Sequence, residues 1–256
     1  MKRVTKIIGN MLLVTSLFLS YCSKKEDTPA TGNINYTGPS IAKDTLVKLP
    51  DQIQAKEDNG NYNLIQLTSS ANIINIEATG LSGIFFYDES VMKDWESSKN
   101  SDGSNTYKFK YAQFQISLTY YKSSTESWWK YSYDSASYSY PLYYVDDKGT
   151  SGEVDWYAKN GSFKSKTVTY IKGTWTKSGT TINSVFNFYS SDGATLQNQY
   201  KATSNADKSG TLEYYTQPGG SGSLVLQSKF VWDKTGSGSY INYDSDGTTI
   251  TSSGTF

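Results

Sequence analysis

Residues 105–122 read NTYKFKYAQFQISLTYYK, and this stretch decides the fold. Tyr107, Phe109 and Tyr111 alternate with Lys108 and Lys110, and Phe114, Ile116, Leu118 and Tyr120 alternate with Gln115, Ser117 and Thr119. Successive side chains on a strand point to opposite faces, so each run is a strand with one apolar and one polar face. The period recurs at Tyr138, Tyr140, Leu142 and Tyr144, and again at Leu224, Leu226, Ser228, Phe230 and Trp232. Turn signals separate such runs: Asp102-Gly103, Asn160-Gly161, Asp192-Gly193, Pro218-Gly219 and Asp246-Gly247. Asn-Gly and Asp-Gly supply the positive φ that tight hairpins need. The intervals are too short for crossover helices, which predicts an antiparallel meander of about 10–12 strands.

Upstream the period changes. Leu64, Leu67, Ala71, Ile74, Ala78, Leu81 and Phe85 fall at alternating spacings of three and four, the stripe of an amphipathic helix. The helix is expected over about 61–79, with Asn59 or Asn61 as its cap and Gly80 at its end. A shorter helical piece is expected over Glu89 to Ser97. A sheet with one apolar face must cover it. The fold expected is therefore mainly β (α+β): a curved or partly closed antiparallel β-meander with the N-terminal helix packed on its concave face.

Composition excludes more than it assigns. Lys plus Arg and Asp plus Glu both number 24, so no net field draws in nucleic acid. There is no His and only one Cys, which removes Ser-His-Asp and Cys-His catalysis and zinc sites built on those ligands. No glycine-rich phosphate loop precedes a helix, and no cofactor is implied. Of the acids in predicted strands, Glu153 and Asp155 share a face, as solvent-side charges would. Asp244-Ser-Asp246-Gly247 opens like a calcium loop, but it lacks the third acidic position and the closing Glu, so it reads as a hairpin turn and no metal site is expected.

Aromatics make up 15% of the chain, including 22 Tyr and 6 Trp. Trp128 and Trp129 are adjacent and must face opposite ways. Trp129, Tyr131 and Tyr133 share the main face, leaving Trp128 on the other. By the same parity Tyr143 lies opposite Tyr140, Leu142 and Tyr144. Trp128 and Tyr143 are thus the candidate ligand-binding residues, a flat platform for a sugar or a protein partner.

The N-terminus carries Lys2, Arg3 and Lys6, then an apolar run from Ile7 to Leu19, then Ser20, Tyr21 and Cys22. The run is shorter than the roughly 20 residues of a spanning helix and matches a signal peptide. Leu19 three residues ahead of Cys22 resembles the lipobox of bacterial lipoproteins; Tyr21 departs from the small residue usual there, as looser boxes in Bacteroidota and spirochaetes do. The resemblance implies diacylglycerol on Cys22 and cleavage ahead of it. It divides the chain into a signal peptide (1–21), a tether (22–40) and a single β-rich domain (41–256). Ser23, where a retention Asp would stand, implies an outer-membrane or surface location. Lys25-Glu26-Asp27 loosely resembles a surface-export signal of Bacteroidota.

The whole layout looks like β-rich lipoproteins of Bacteroidota and spirochaetes, a likeness of pattern that assigns no active residue. The function expected is a non-catalytic binding or interaction module held on a membrane by lipid, with a glycan or protein as ligand. The alternative is a carrier of a lipid or other amphiphile in a half-barrel resembling Lol-type carriers. Metabolic labelling with a fatty-acid probe is expected to mark the wild-type chain and not Cys22→Ser; equal labelling of both would remove the anchor from this reading.

Overall fold

A computed structural model describes residues 46–58, 63–79, 95–111, 114–134, 139–159, 167–220 and 222–256. Cys22, the signal peptide, the tether, Leu81, Phe85 and the Asn160-Gly161 turn lie outside the described residues. The described residues form two helices, α1 (Asp51–Asp58) and α2 (Asn63–Thr79), followed by strands β1 (Glu96–Lys99), β2 (Asn105–Tyr111), β3 (Phe114–Lys122), β4 (Ser127–Asp134), β5 (Ser139–Asp147), β6 (Ser151–Lys159), β7 (Thr167–Ser178), β8 (Thr181–Tyr189), β9 (Leu196–Ser204), β10 (Gly210–Thr216), β11 (Val225–Trp232), β12 (Gly238–Tyr243) and β13 (Ile250–Thr255). The 13 strands make one sheet in simple sequence order, each antiparallel to the next, and β1 does not pair with β13. The expected meander is present, one strand longer than its upper bound. Helix α1 went unforeseen because Ile53 is its one buried residue and a single apolar position makes no stripe.

The turns explain why the chain reverses so regularly. Four hairpins share one device. The amides of Gly103, Gly193, Lys208 and Gly247 donate to the carbonyls of Asn100, Ser190, Asn205 and Asp244, three residues back. In each, the Asp before that position (Asp102, Asp192, Asp207, Asp246) accepts from the backbone amide two residues on. The turn needs a left-handed residue, which Gly supplies without strain and Lys208 supplies at φ 69°. The Asp102-Gly103 turn also corrects the helix expected over Glu89 to Ser97. Glu96 and Ser97 are strand, pairing with Lys108 and Tyr107, because the turn folds them back onto β2. Residues 89–94 are outside the described residues.

Helix α2 packs as its spacing predicts. Leu64, Leu67, Ala71, Ile74 and Ala78 are all at most 1% exposed. Near its start, Gln66 Nε2 donates to Ser228 Oγ on β11 at 2.8 Å. At its end, Trp156 Nε1 on β6 donates to the Glu77 carbonyl and Tyr143 Oη on β5 to the Ala78 carbonyl, both at 3.0 Å. Gln66 to Glu77 covers about 16 Å of helix. β6 to β11 covers about 24 Å of sheet, at roughly 4.8 Å per strand. These bonds hold α2 across the sheet, from β5 and β6 to β11. Helix α1 closes one end of the strands: Lys56 Nζ reaches the Gly236 carbonyl in the β11–β12 turn at 2.8 Å, and Lys208 pairs with Asp51 at 3.0 Å.

Registers lay the core out in rows along the concave side. One runs Tyr107, Leu118, Tyr131, Tyr143, Trp156 and Ile171, all buried. The next runs Tyr120, Trp129, Val145, Val154, Gly173 and Phe186, also buried. Glycines let the large rings lie flat across neighbouring strands. A Cβ on Gly173 would stand 2.4 Å from the Phe186 ring, and one on Gly152 2.0 Å from the Trp175 ring. Such Gly–aromatic pairs are how a curved sheet keeps density where a side chain would clash.

The end of α2 carries one buried acid. Glu77 is 8% exposed, and desolvation raises its carboxyl from 4.5 to about 7. A raised acid favours the folded state while protonated, so its contribution is complete below about pH 4.5 and is lost as pH rises through 7. Glu77→Gln is expected to raise stability at pH 8 by on the order of 3 kcal/mol and to change it little at pH 4, in paired thermal melts. Ile74→Asp, which buries an unpaired charge under the sheet, is expected to cost several kcal/mol, a large part of a domain's margin; a wild-type melting temperature would contradict the packing described.

Candidate functional site on the outer sheet face

The convex face, away from the helices, has its own rows. Tyr121, Trp128, Asp146, Glu153 and Thr174 follow one another across β3 to β7. Lys130, Tyr144, Asp155 and Lys172 form the adjoining row across β4 to β7. Trp128 is half-buried, as its parity predicts, while Trp129 is 2% exposed on the other face. The indole lies 5.7 Å from the Tyr121 ring with planes 19° apart, and 6.5 Å from Tyr144 at 37°. Cross-strand aromatic contacts of this kind fix the rings without burying them.

Tyr143 is not part of this platform. It is 1% exposed on the concave side, its ring 4.5 Å from Trp156 and its hydroxyl bonded to α2. The expected parity fails because a β-bulge intervenes: Tyr131 pairs with Tyr143 but Ser132 pairs with Pro141, so Leu142 has no opposite number. The extra residue moves Tyr143 to the core face and Tyr144 to the outer one. The doublet was the right signal, since adjacent aromatics on a strand serve both faces, but its outer member is Tyr144. Tyr120-Tyr121 carries the same signal, with Tyr121 outside and Tyr120 2% exposed in the core.

Carboxylates sit beside the rings. Asp146 Oδ2 pairs with Lys148 Nζ at 3.0 Å, and Lys172 Nζ lies 2.9 Å from Glu153 Oε2 and 3.9 Å from Asp155 Oδ1. Tyr157 Oη donates to Asp155 Oδ2 at 3.3 Å. Asp146 Oδ1 and Asp155 Oδ1 are buried and accept no hydrogen bond. Burial pushes the Asp155 carboxyl up to about 6; Lys172 opposes this and the Glu153 charge adds to it. The expected shared face of Glu153 and Asp155 is thus present, and both acids lean on one lysine.

Farther along the same face the chemistry is self-contained. Glu213 takes Lys229 Nζ at 3.0 Å and the Tyr215 hydroxyl at 2.8 Å, and Lys201 stands 4.6 Å over the Tyr215 ring. Burial pushes Glu213 up, but those donors outweigh it and hold its pKa below the usual value. Asp155 and Glu213 occupy similar ladders; the difference is that burial outweighs the cation at Asp155, whereas the donors outweigh burial at Glu213.

Other candidate sites resolve into structure. Asp246 spends its carboxylate on the amides of Thr248 and Thr249 and the Thr249 hydroxyl, which hold its pKa down to about 2. Among the described residues no three acidic, His or Cys side chains cluster as metal ligands would. A cleft of about 260 Å³ lies between residues 47–54 and α2, lined by Val47, Leu49, Pro50, Thr68, Ala71 and Asn75.

No protein-family model matches the chain, and no curated protein matches it.

The acceptor-rich patch has a consequence for stability. Asp155→Asn removes a charge that burial disfavours, so the variant is expected to melt higher than wild type at pH 8 and to lose that advantage as pH falls below about 6. A drop in melting temperature at pH 8 would mean that Lys172 satisfies Asp155 fully.

Proposed function

We propose that the chain is a lipid-anchored protein of the outer membrane or cell surface that acts as a non-catalytic binding module, and that it binds through the outer face of β3 to β7. The observation that carries this reading is Trp128, half-buried between Tyr121 and Tyr144 on the face away from the helices. Aromatic side chains with a wet edge and nearby polar groups are the usual anchors of binding surfaces.

The carrier reading has less support. Its ligand would need an enclosed apolar cavity of several hundred Å³. The concave side is instead taken up by α2, whose apolar stripe is at most 1% exposed against the sheet. A hydrolytic role fares no better. Two carboxyls acting on a glycosidic bond must flank it from opposite sides. Glu153 and Asp155 stand side by side on one strand and share Lys172. The lipid on Cys22 is the proposed attachment; among the described residues no helix is long and apolar enough to cross a membrane.

Two adjacent tryptophans test the proposal. In a Cys22→Ser background, which removes the lipid attachment, Trp128→Ala is expected to shift the melting temperature by only a few degrees and to abolish retention of the protein on envelope or matrix fractions. Trp129→Ala, a core truncation, is expected to cost roughly 3–5 kcal/mol, or about ten degrees for a domain of this size. Undiminished retention of Trp128→Ala would overturn the assignment of the outer face.

A further inference from the structure

We propose that the last turn of α2 is a pH-operated latch: a proton on the buried Glu77 carboxyl keeps the turn seated on β5 and β6, and loss of that proton frees it from Ile76 onward while the rest of the helix stays packed. The device is independent of what the outer face binds.

A clamp separates this turn from the body of the helix. Asn75 takes both backbone groups of Val47: its Oδ1 accepts from the amide at 2.9 Å, and its Nδ2 donates to the carbonyl at 3.0 Å. Up to that point the stripe from Leu64 to Ile74 is buried. Past it, among the described residues, the buried stripe continues only at Ala78, and Ile76 is 48% exposed. The turn is held to the sheet by Trp156 Nε1 on the Glu77 carbonyl and Tyr143 Oη on the Ala78 carbonyl. A segment with little buried apolar surface opens at lower cost than the domain around it.

Glu77 opposes the bonds that seat it. Its side chain is 8% exposed, and Oε2 is buried with no hydrogen-bond donor. It is the one ionisable side chain of α2, and it stands where the helix carbonyls already gather partial negative charge. The groups that face it supply no cation. Tyr143 on β5 and Tyr170 on β7 both meet its charge, and it makes both phenols harder to ionise, while β6 presents the uncharged Trp156. Nothing among the described residues counters the desolvation of its carboxyl.

The direction follows from linkage. Seated, the acid holds its proton up to about 7; in a lifted turn it faces water and ionises near its ordinary 4.5. Opening therefore releases a proton between those values. It becomes about tenfold easier per pH unit there, and it changes little outside that range.

The test is amide hydrogen exchange of the full chain, followed by NMR between pH 5 and 8 and corrected for the intrinsic pH dependence of exchange. The amides of Ile76 to Ala78 are expected to be less protected than those of Leu67 to Ile74. Their protection is expected to fall about tenfold per pH unit up to 7 and then to level off. Low guanidinium leaves their exchange unchanged, as local opening requires, while it speeds that of β4 to β8. In Glu77→Gln, which stays neutral, the same amides keep their protection across the whole range. Tyr143→Phe removes one bond of the latch and is expected to lower their protection about fivefold at every pH, with the slope unchanged. Protection that does not fall with pH in the wild type would overturn the latch, as would a fall that survives Glu77→Gln. So would exchange of these amides in step with β4 to β8, which would make the opening global.

Discussion

The apolar stripe of helix α2 is what lets the sheet bury one face, since the described residues form no second β-layer. Leu64, Leu67, Ala71, Ile74 and Ala78 supply small and branched volume, and the sheet supplies large rings: Tyr131, Tyr143, Trp156 and Phe186. Side-chain bonds tie its two ends to β11 and to β5 and β6. Burial of this kind is worth about 25 cal/mol per Å² of apolar surface, and most of a helix's stability in a protein comes from it rather than from propensity. The two indole and phenol bonds to the last carbonyls of α2 also satisfy groups that a helix end leaves open.

Once one face is committed to the helix, the other is free to differ along its length. Over β9 to β11 it closes on itself, acid to lysine to tyrosine. Over β3 to β7 it differs: the rings of Tyr121, Trp128 and Tyr144 stand half-exposed, and burial raises the Asp155 carboxyl despite Lys172. A sheet that needed only solubility would be served by the first pattern throughout. The second costs stability, which proteins tend to accept where a site is being held ready.

Much of the fold was legible because the period is unambiguous. The alternation over 105–122, the Asp-Gly pairs and the stripe from Leu64 to Ala78 each point to one element, and the structure contains all three. What local pattern could not give was parity beyond a bulge. Leu142 breaks the count between Tyr140 and Tyr143, and Gln227 does the same on β11, where Tyr214 pairs with Ser228 but Tyr215 with Leu226. No residue type announces either bulge, since each arises from how two strands are matched. Trp128 escaped this error because no bulge separates it from Trp129 and Tyr131. Asp146, Lys172 and Tyr144 were missed for another reason: they come together across strands, which only register reveals.

Hydrogen–deuterium exchange of the amides of α2 in the full chain tests the central claim most directly. If the helix organises the sheet, the amides from Leu67 to Ile74 exchange only when the whole domain opens, with the same protection as the central strands β4 to β8. Rapid exchange of α2 while those strands stay protected would show that the sheet keeps its shape without the helix, and would contradict the account.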